Sequence, residues 1–230
     1  MGKRMSRVRP VPGGRAVEVE PERVRGWIGR FTERHGAVEI RVAEAEVVII
    51  AADGATASFT TRGGASIEEV IEKLTEARRI GLVLVRLGGH SVGVAFGGKV
   101  EVSATDRKQV HGRIRAGGWS QQRFARRREG QARVALQAAA DDVARVLVPR
   151  LAELDAVVLG GDWQALDVLR NDRRLSGVFS KAEDRVLDVP EPRRTVLDEA
   201  AERARCVEIV IQDTGATGRE SGRMDTGEGA

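Results

Sequence analysis

The stretch GLVLVRLGGHSVGVAFGGKVEVSAT, residues 81–105, determines the fold of this chain of 230 residues. It contains three short apolar segments, GLVLVRL, SVGVAFG and KVEVSAT, and glycines lie between one segment and the next. Short apolar segments separated by glycine are typical of β-strands joined by tight turns. The sequence therefore predicts a three-stranded meander here.

Beyond the meander, predicted helices alternate with predicted strands. Apolar residues at helical spacing predict one long helix from Gln121 to about Val148, which Pro149 ends or kinks. The other predicted elements are strands at residues 154–159, 185–189 and 206–211 and helices at 162–170 and 193–205. Trp163 is expected to anchor a turn against the core. This alternation favours an α/β fold in which helices pack on the faces of a mixed sheet.

Ahead of the meander, the patterns predict a small α+β subdomain. An apolar stripe predicts a helix over residues 20–34, and Ser66 with Glu69 has the pattern of a capping box at the start of a second helix. The Asp-Gly pair at 53–54 is a hairpin signal. Strands are predicted at residues 38–42, 47–51 and 55–60.

The sequence thus predicts four regions. Residues 1–16 mix Arg, Pro and Gly without periodicity, and residues 213–230 are poor in apolar side chains. The predicted regions are a flexible basic arm (1–16), the small α+β subdomain (17–78), the main α/β domain (79–212) and a disordered tail (213–230).

Composition excludes several classes of protein. Hydrophobic residues make up 41% and charged residues 31% of the chain, as in ordinary soluble globular proteins. No apolar run approaches the roughly 18 residues that cross a bilayer, and the basic N-terminus lacks the apolar segment of a signal peptide. The single cysteine, Cys206, cannot form an internal disulfide. We therefore expect a cytoplasmic protein without membrane association.

Basic residues are concentrated in one segment. Residues 107–133 contain nine Lys or Arg and one acid, Glu129, so their net charge is +8. The rest of the chain has 29 basic and 33 acidic residues, so its net charge is −4. The preference of the chain for Arg over Lys, 33 against five, accounts for only about half of the arginines in this segment. Such a segment on a mildly acidic body predicts a partner with a phosphate backbone, and we expect RNA.

Conventional catalytic residues are sparse. The three histidines lack the spacing of metal ligands, there is no Gly-x-Ser-x-Gly motif, and the pair Gly117-Gly118 lacks the lysine of a phosphate-binding loop. The sequence therefore predicts neither a metal nor a cofactor. Any chemistry in the basic segment has to depend on a positioned backbone and a side-chain amide, and Gln121 and Gln122 are the amides available there.

The segment HGRIRAGGWSQQRFARRR, residues 111–128, resembles the peptidyl-transferase-centre loop of the archaeal and eukaryotic class-I release factors. In that loop, Gly-Gly-Gln is followed by Ser and by an Arg-Phe-x-Arg-x-Arg run. The resemblance extends over about residues 80–211 and includes the meander, the long helix and AVVLGGDWQALDVL at residues 156–169. We expect no codon-recognition domain. Within this group, the chain is most similar to the actinobacterial branch of the Vms-like release factors.

The resemblance implies a fold like that of the release-factor middle domain, with residues 79–212 as the catalytic domain. It also implies an enzyme that hydrolyses peptidyl-tRNA on stalled large ribosomal subunits, which is ribosome rescue. The implied partners are the large subunit, its ribosomal RNA and peptidyl-tRNA. We expect the protein to be a monomer. The residues implied to bind RNA are Arg113, Arg115, Trp119, Arg123, Arg126, Arg127 and Arg128.

The identity of the active amide follows from a departure in the motif. Termination factors have glutamine directly after the two glycines, where this chain has Trp119. The Vms-like branch has Gly-x-x-Gln instead, which residues 118–121 satisfy. The resemblance therefore implies Gln121 as the catalytic amide, with Gln122 as the second candidate. The glycines Gly117 and Gly118 would let the backbone approach the end of the tRNA.

Two other functions are compatible with the sequence. One is a non-catalytic module that docks on the ribosome or on RNA, which would need neither glutamine. The other is a nuclease acting on the tRNA acceptor end. Nuclease chemistry usually uses acids, a metal or a general base, and the basic segment offers only His111 and Glu129 for these roles. Hydrolysis of the ester leaves an intact tRNA, whereas the nuclease leaves a peptide that carries nucleotides.

Overall fold

The computed structural model of this chain describes residues 7–86, 89–107 and 119–213, with the backbone alone at residues 107 and 119–129. The chain forms two compact units. The first contains the residues up to Glu76 together with those from Cys206 onward, and the second contains Ala77–Arg205.

Strands and helices alternate through most of the described residues. The strands are β1 (Val8–Val11), β2 (Gly14–Val19), β3 (Val38–Val42), β4 (Glu46–Ala51), β5 (Thr56–Thr60), β6 (Arg79–Arg86), β7 (Gly89–Phe96), β8 (Lys99–Arg107), β9 (Ala156–Gly161), β10 (Ala182–Leu187) and β11 (Val207–Gln212). The α-helices are α1 (Val24–His35), α2 (Ile67–Thr75), α3 (Trp119–Leu147), α4 (Trp163–Arg170), α5 (Ser176–Ser180) and α6 (Arg194–Ala204).

The first unit is a six-stranded antiparallel sheet with the strand order β1-β2-β11-β5-β4-β3. The helices α1 and α2 cover one face, where Val24 and Val70 belong to the same core as the fully buried Ile49. The strand β11 lies between β2 and β5, and Val17 of β2 pairs with Ile209 of β11. This sheet is therefore complete only when β11, the last strand of the described residues, is in place.

The second unit is built on a five-stranded mixed sheet with the order β10-β9-β6-β7-β8. The strands β6, β7 and β8 form the predicted antiparallel meander, while β9 pairs parallel to β6 and β10 pairs parallel to β9. Consequently β6, β8, β9 and β10 all end at one edge of the sheet, which we call the carboxyl edge. The predicted α/β class with a mixed sheet is confirmed.

Helices pack on both faces of this sheet. Alternate side chains of β6 point to opposite cores: Val83 packs with α3 and α4, whereas Leu82 packs with α6. Val143 of α3 and Leu197 of α6 are fully buried in these two cores. Successive side chains of a strand point to opposite faces of the sheet, and both faces of β6 are buried. The sequence of β6 is therefore a continuous apolar run.

The two units differ from the predicted division at both ends of the chain. Residues 8–11 and 14–19, most of which were expected in a flexible arm, form β1 and β2 because β2 pairs along its length with β11. The strand β11, expected in the main α/β domain, belongs to the first sheet instead. Residues 1–6 of the predicted arm and 214–230 of the predicted tail lie outside the described residues.

Two glycines of the second unit are in contrasting surroundings. Gly161, the last residue of β9, has a φ of 103°, and a Cβ there would stand 2.1 Å from the carbonyl oxygen of Val85. This position therefore requires glycine both for its left-handed backbone and for the close approach of β6. Gly130 lies inside α3, and a Cβ there would meet nothing within 4 Å.

Alanine should have opposite effects at these two glycines. We expect Gly161→Ala to lower the free energy of unfolding by about 3 kcal/mol, because a left-handed alanine costs roughly 1–2 kcal/mol and the overlap with Val85 costs a similar amount. Gly130→Ala should raise it by about 0.5–1 kcal/mol, because glycine is a poor helix former. Urea denaturation followed by circular dichroism measures both changes. Destabilisation by Gly130→Ala would contradict the open space found around this residue.

Candidate functional site

The residues predicted to act on peptidyl-tRNA fall at the junction between β8 and α3. The glycine pair 117–118 and the predicted RNA-binding residues Arg113 and Arg115 lie outside the described residues. Gln121 and Gln122 lie in the first turn of α3. The other predicted RNA-binding residues follow in the same part of α3, where only the backbone is described: Trp119, Arg123, Arg126, Arg127 and Arg128.

The start of α3 gives the two glutamines a defined backbone setting. The helix begins at Trp119, two residues earlier than predicted, so Gln121 and Gln122 are its third and fourth residues. The first four N–H groups of an α-helix have no acceptor within the helix. The N–H group of Gln121, the third residue of α3, belongs to this set, at the positive end of the helix dipole. This end of α3 is therefore suited to stabilise developing negative charge.

The C-terminal half of α3 holds the helix on the sheet. Leu136 is the first residue of α3 in the described core, and Ala140, Val143 and Leu147 continue the same buried stripe. At 1.5 Å per residue, Gln121 lies about 22 Å along the helix from Leu136. The amide pair is therefore separated from the packed half of α3 by about four helical turns.

A buried histidine joins α3 to β7. The Nε2 atom of His90 lies 2.8 Å from Oδ2 of Asp142, and Arg145 donates to Oδ1 of the same carboxylate at 2.6 Å. Only 3% of the His90 side chain is exposed. Burial is the largest single influence on the pKa of Asp142 and raises it, but the hydrogen bonds to His90 and Arg145 outweigh burial, so this pKa lies below its usual range. Asp142 therefore holds His90 as a carboxylate.

A second ionic contact of α3 faces solvent. Arg174 bonds Asp172 at 2.6 Å and Asp141 at 2.8 Å. Its hydrogen bonds to Asp172 and Asp141 raise the pKa of Arg174, and the same bonds lower the pKa of each carboxyl group. About half of the Arg174 and Asp141 side chains is exposed, so solvent screens this contact and we expect its contribution to stability to be small.

A cleft of about 220 Å³ opens at the carboxyl edge, between α3 and α4. Ala135 of α3 and Val168 of α4 contribute to its apolar walls, and His90, Asp162 and Gln164 are among its polar residues. Beside this cleft, the chain leaves the parallel neighbours β6 and β9 in opposite directions along the sheet, toward β7 and toward β10. In open α/β sheets, ligands bind outside the carboxyl ends of the strands at such a point.

Sequence reasoning missed two residues near this cleft. Trp163, expected to pack on the core, is 55% exposed at the start of α4. The turn is stabilised instead by Asp162, whose side chain accepts a hydrogen bond from the backbone N–H of Gln164 at 2.8 Å. The importance of His90 was also missed, because its partner Asp142 is 52 residues away and no local pattern connects the two.

Two further observations concern metals and membranes. Within the described residues, no group of three or more His, Cys, Asp or Glu side chains is arranged to hold a metal ion. Across the same part of the chain, no helix is both long and apolar enough to cross a membrane.

Comparison with known proteins identifies the family. Residues 78–210 match the family described as Actinobacteria/chloroflexi VLRF1 release factor, and this match covers more than half of the chain. The chain belongs to the VLRF1 release-factor family. The matched region contains almost all of the second unit and part of β11. The family is described as one of release factors.

The sequence identity between this VLRF1 protein and an individual curated relative is low. Peptide chain release factor subunit 1 of Thermococcus sibiricus is 26% identical over 138 residues, which are 59% of this chain and 32% of the archaeal protein. The chain thus spans about a third of the length of this curated relative.

Two solved structures are also similar. The archaeal translation termination factor aRF1 aligns over 83% of this chain and 66% of its own, with 14% identity and a TM-score of 0.43. The Dom34 protein of S. cerevisiae, a translation termination-like factor, aligns over 86% and 69%, with 8% identity and a TM-score of 0.33.

The bond between His90 and Asp142 makes a testable contribution to stability. We expect Asp142→Asn to lower the free energy of unfolding at pH 7 by about 1–2 kcal/mol, because a charged hydrogen-bond partner of a buried group is lost. The folded-state pKa of Asp142 is depressed, so its contribution is present above the unfolded pKa, near 4, and is lost as the pH falls through the folded value. The difference from the wild type should therefore shrink below about pH 4.

Urea denaturation at a series of pH values measures this difference. Asp141→Asn is the matched control, since it removes the neighbouring carboxylate from a solvent-exposed contact and should cost clearly less than Asp142→Asn. A constant difference between wild type and Asp142→Asn down to pH 2 would contradict the assignment.

Proposed function

We propose that this VLRF1 protein hydrolyses the ester between nascent peptide and tRNA on stalled large ribosomal subunits. The proposal rests mainly on Gln121, which lies in the first turn of α3 within the region that matches the release-factor family. The ester is already activated, so its hydrolysis needs a positioned water molecule and hydrogen-bond donors for the developing oxyanion. The start of α3 can supply both without a metal or an acid–base pair.

The two parts of Gln121 have separate roles in this mechanism. Its side-chain amide orients the attacking water through one donor and one acceptor. A backbone N–H at the start of α3 donates to the oxyanion as charge develops on the ester oxygen. The glycines Gly117 and Gly118 have no Cβ and so allow the backbone to approach the tRNA end closely.

The arginines of α3 bind the phosphates of ribosomal RNA and tRNA. Arg126, Arg127 and Arg128 are consecutive, and each residue of a helix is turned by about 100° from the last. Their Cα–Cβ directions therefore span about 200° around α3, more than one flat surface can meet. This distribution favours a partner that surrounds the helix, such as an RNA-lined cavity of the large subunit.

The described residues do not favour the nuclease. A general base has to lie within roughly 2.6–3.2 Å of the proton that it removes, or act through one water. A candidate acid–base pair is formed by His90 of β7 and Asp142 of α3, but Asp142 follows Gln121 by 21 residues. That spacing corresponds to about 31 Å along the helix, so the pair cannot act at the same centre as the glutamine.

Replacing each of the two glutamines by alanine tests the mechanism. We expect Gln121→Ala to reduce peptide release from stalled large subunits by about 10²–10³-fold, because a group that acts in the transition state is lost. Gln122→Ala should be mild, because Gln122 is turned by about 100° around the helix. Release is measured by following both the peptide and the length of the tRNA on gels.

Binding to the large subunit is the control for these variants and should be nearly unchanged in both. A loss of release in Gln122→Ala alone would move the catalytic role to Gln122. If neither substitution alters release, the hydrolase proposal fails and a non-catalytic docking module takes its place. Shortened tRNA would instead indicate the nuclease.

Charge reversal tests the RNA-binding role of the arginines. We expect the triple variant with Glu at positions 126, 127 and 128 to bind large subunits more weakly and with a flatter salt dependence, since fewer counterions are released on binding. Affinity measured over a series of salt concentrations checks this.

The matched control reverses three exposed arginines of α1, Arg25, Arg30 and Arg34, which changes net charge equally. The same salt slope in wild type and in the triple variant would exclude phosphate contacts by residues 126–128.

A further inference from the structure

The cleft between α3 and α4 lies outside the proposed hydrolytic centre. Its Ala135 follows Gln121 by 14 residues, which is about 21 Å along α3. Its volume of about 220 Å³ is smaller than the roughly 300–1,000 Å³ of sites for drug-sized ligands. A single aromatic heterocycle fits this volume, whereas a dinucleotide does not.

The walls of the cleft suit a flat ring. Ala132 and Ala135 of α3 lie on one side, and Ala165 and Val168 of α4 lie on the other. These small apolar side chains leave a slot between the two helices. A nucleobase has two apolar faces that would contact the walls, while its hydrogen-bonding groups lie on its edge.

His90 supplies a fixed polar side chain to the cleft. A carboxylate only accepts hydrogen bonds, so the Nε2 atom of His90 donates its proton to Asp142. The other ring nitrogen, Nδ1, has no hydrogen-bond partner among the described residues. The His90 side chain is 3% exposed and lines the cleft, so its ring is held in one position for contact with a ligand.

Two neighbouring polar residues complete a pattern for the edge of a base. Gln164 lines the cleft and has an amide that both donates and accepts. Asp162 lines it as well and adds carboxylate oxygens as acceptors. Acceptors beside a donor are complementary to an amino group next to a ring nitrogen, which adenine and cytosine have and uracil lacks.

The surroundings of the cleft fit the rest of a nucleotide. Arg86 lines it and contacts Asp188 at 3.2 Å, a residue whose side chain is 93% exposed. Because Asp188 is so exposed, the guanidinium of Arg86 can also bind a phosphate. Trp163, next to Gln164, is 55% exposed, and exposed aromatic rings stack on bases of unpaired RNA.

We propose that this cleft binds one unpaired adenine or cytosine of RNA, with His90, Asp162 and Gln164 at the edge of the base, Arg86 at the phosphate, and Trp163 beside a neighbouring base. The inference rests on the proposed function for the presence of an RNA partner. It adds a second contact, about 20 Å from the hydrolytic centre, that reads the identity of one base.

Mononucleotide binding to the full chain tests this inference. Ligand-observed NMR with AMP, CMP and UMP should show saturable binding of AMP or CMP that is at least about tenfold tighter than that of UMP. Ala135→Leu fills the slot and should weaken this binding at least about tenfold. Val134→Leu is the matched control, because Val134 is 54% exposed on the same helix and does not line the cleft.

Two further variants make the test specific. Gln164→Leu replaces the exposed amide by an apolar side chain of similar size. It should therefore remove the preference for AMP or CMP over UMP. Circular dichroism shows whether each variant is folded. The absence of saturable binding in the wild type, unchanged binding in Ala135→Leu, or equal binding of AMP, CMP and UMP to the wild type would overturn the inference.

Peptide release separates this inference from the proposed function. Gln121→Ala should leave AMP or CMP binding unchanged, because the two sites are about 20 Å apart. If the wild type binds these nucleotides in the cleft and releases no peptide, the hydrolase proposal fails and the inference stands. If the wild type releases peptide and binds no mononucleotide, the inference alone fails.

Discussion

The packing of α3 on the five-stranded sheet fixes the direction in which the rest of the helix extends. Val143 and Leu147 are fully buried against the sheet, and Asp142, next to Val143, bonds His90 of β7. The apolar contacts set the distance of the helix from the sheet, and the polar contact sets its rotation. Since α3 is continuous from Trp119 to Leu147, these contacts also set the direction of its first turn. The location of the proposed catalytic amide thus depends on residues about 30 Å from it.

The first third of α3 is less favourable as a helix than the packed remainder. Its arginines are near the helix N-terminus, where positive charge interacts unfavourably with the dipole, and they also repel one another. Gly130 adds the cost of a glycine in a helix interior. Phosphates around this part of α3 would offset both electrostatic terms. If this part of α3 binds RNA, as proposed, the free energy of binding therefore includes relief of a repulsion that is present in the free protein.

Local patterns allowed most of the second unit to be predicted, and distant pairings were the main source of error. The capping box was correct in detail, since Ser66 accepts from the N–H of Glu69 and Glu69 accepts from the N–H of Ala65. The predicted position of β11 was wrong, because its partner β2 lies at the other end of the chain. The local sequence pattern of either strand would also fit a different sheet. The contact of His90 with Asp142, and with it the cleft, was missed for the same reason. In contrast, the location of Gln121 near the start of α3 followed from a short motif next to a strong helical period.

The connections of the second unit to the first begin at the edge of its sheet opposite the carboxyl edge. Gly97 and Gly98 form the turn between β7 and β8 at that opposite edge. The side chain of Ala77 lies 4.0 Å from where a Cβ of Gly97 would stand, and the side chain of Arg205 lies 3.0 Å from that of Gly98. Ala77 and Arg205 are the first and last residues of the second unit, so both of its ends lie beside one turn. The strands between the two edges are eight or nine residues long in the meander, about 25–30 Å. The carboxyl edge, with the cleft and the end of β8, therefore lies at the other end of these strands from both Ala77 and Arg205.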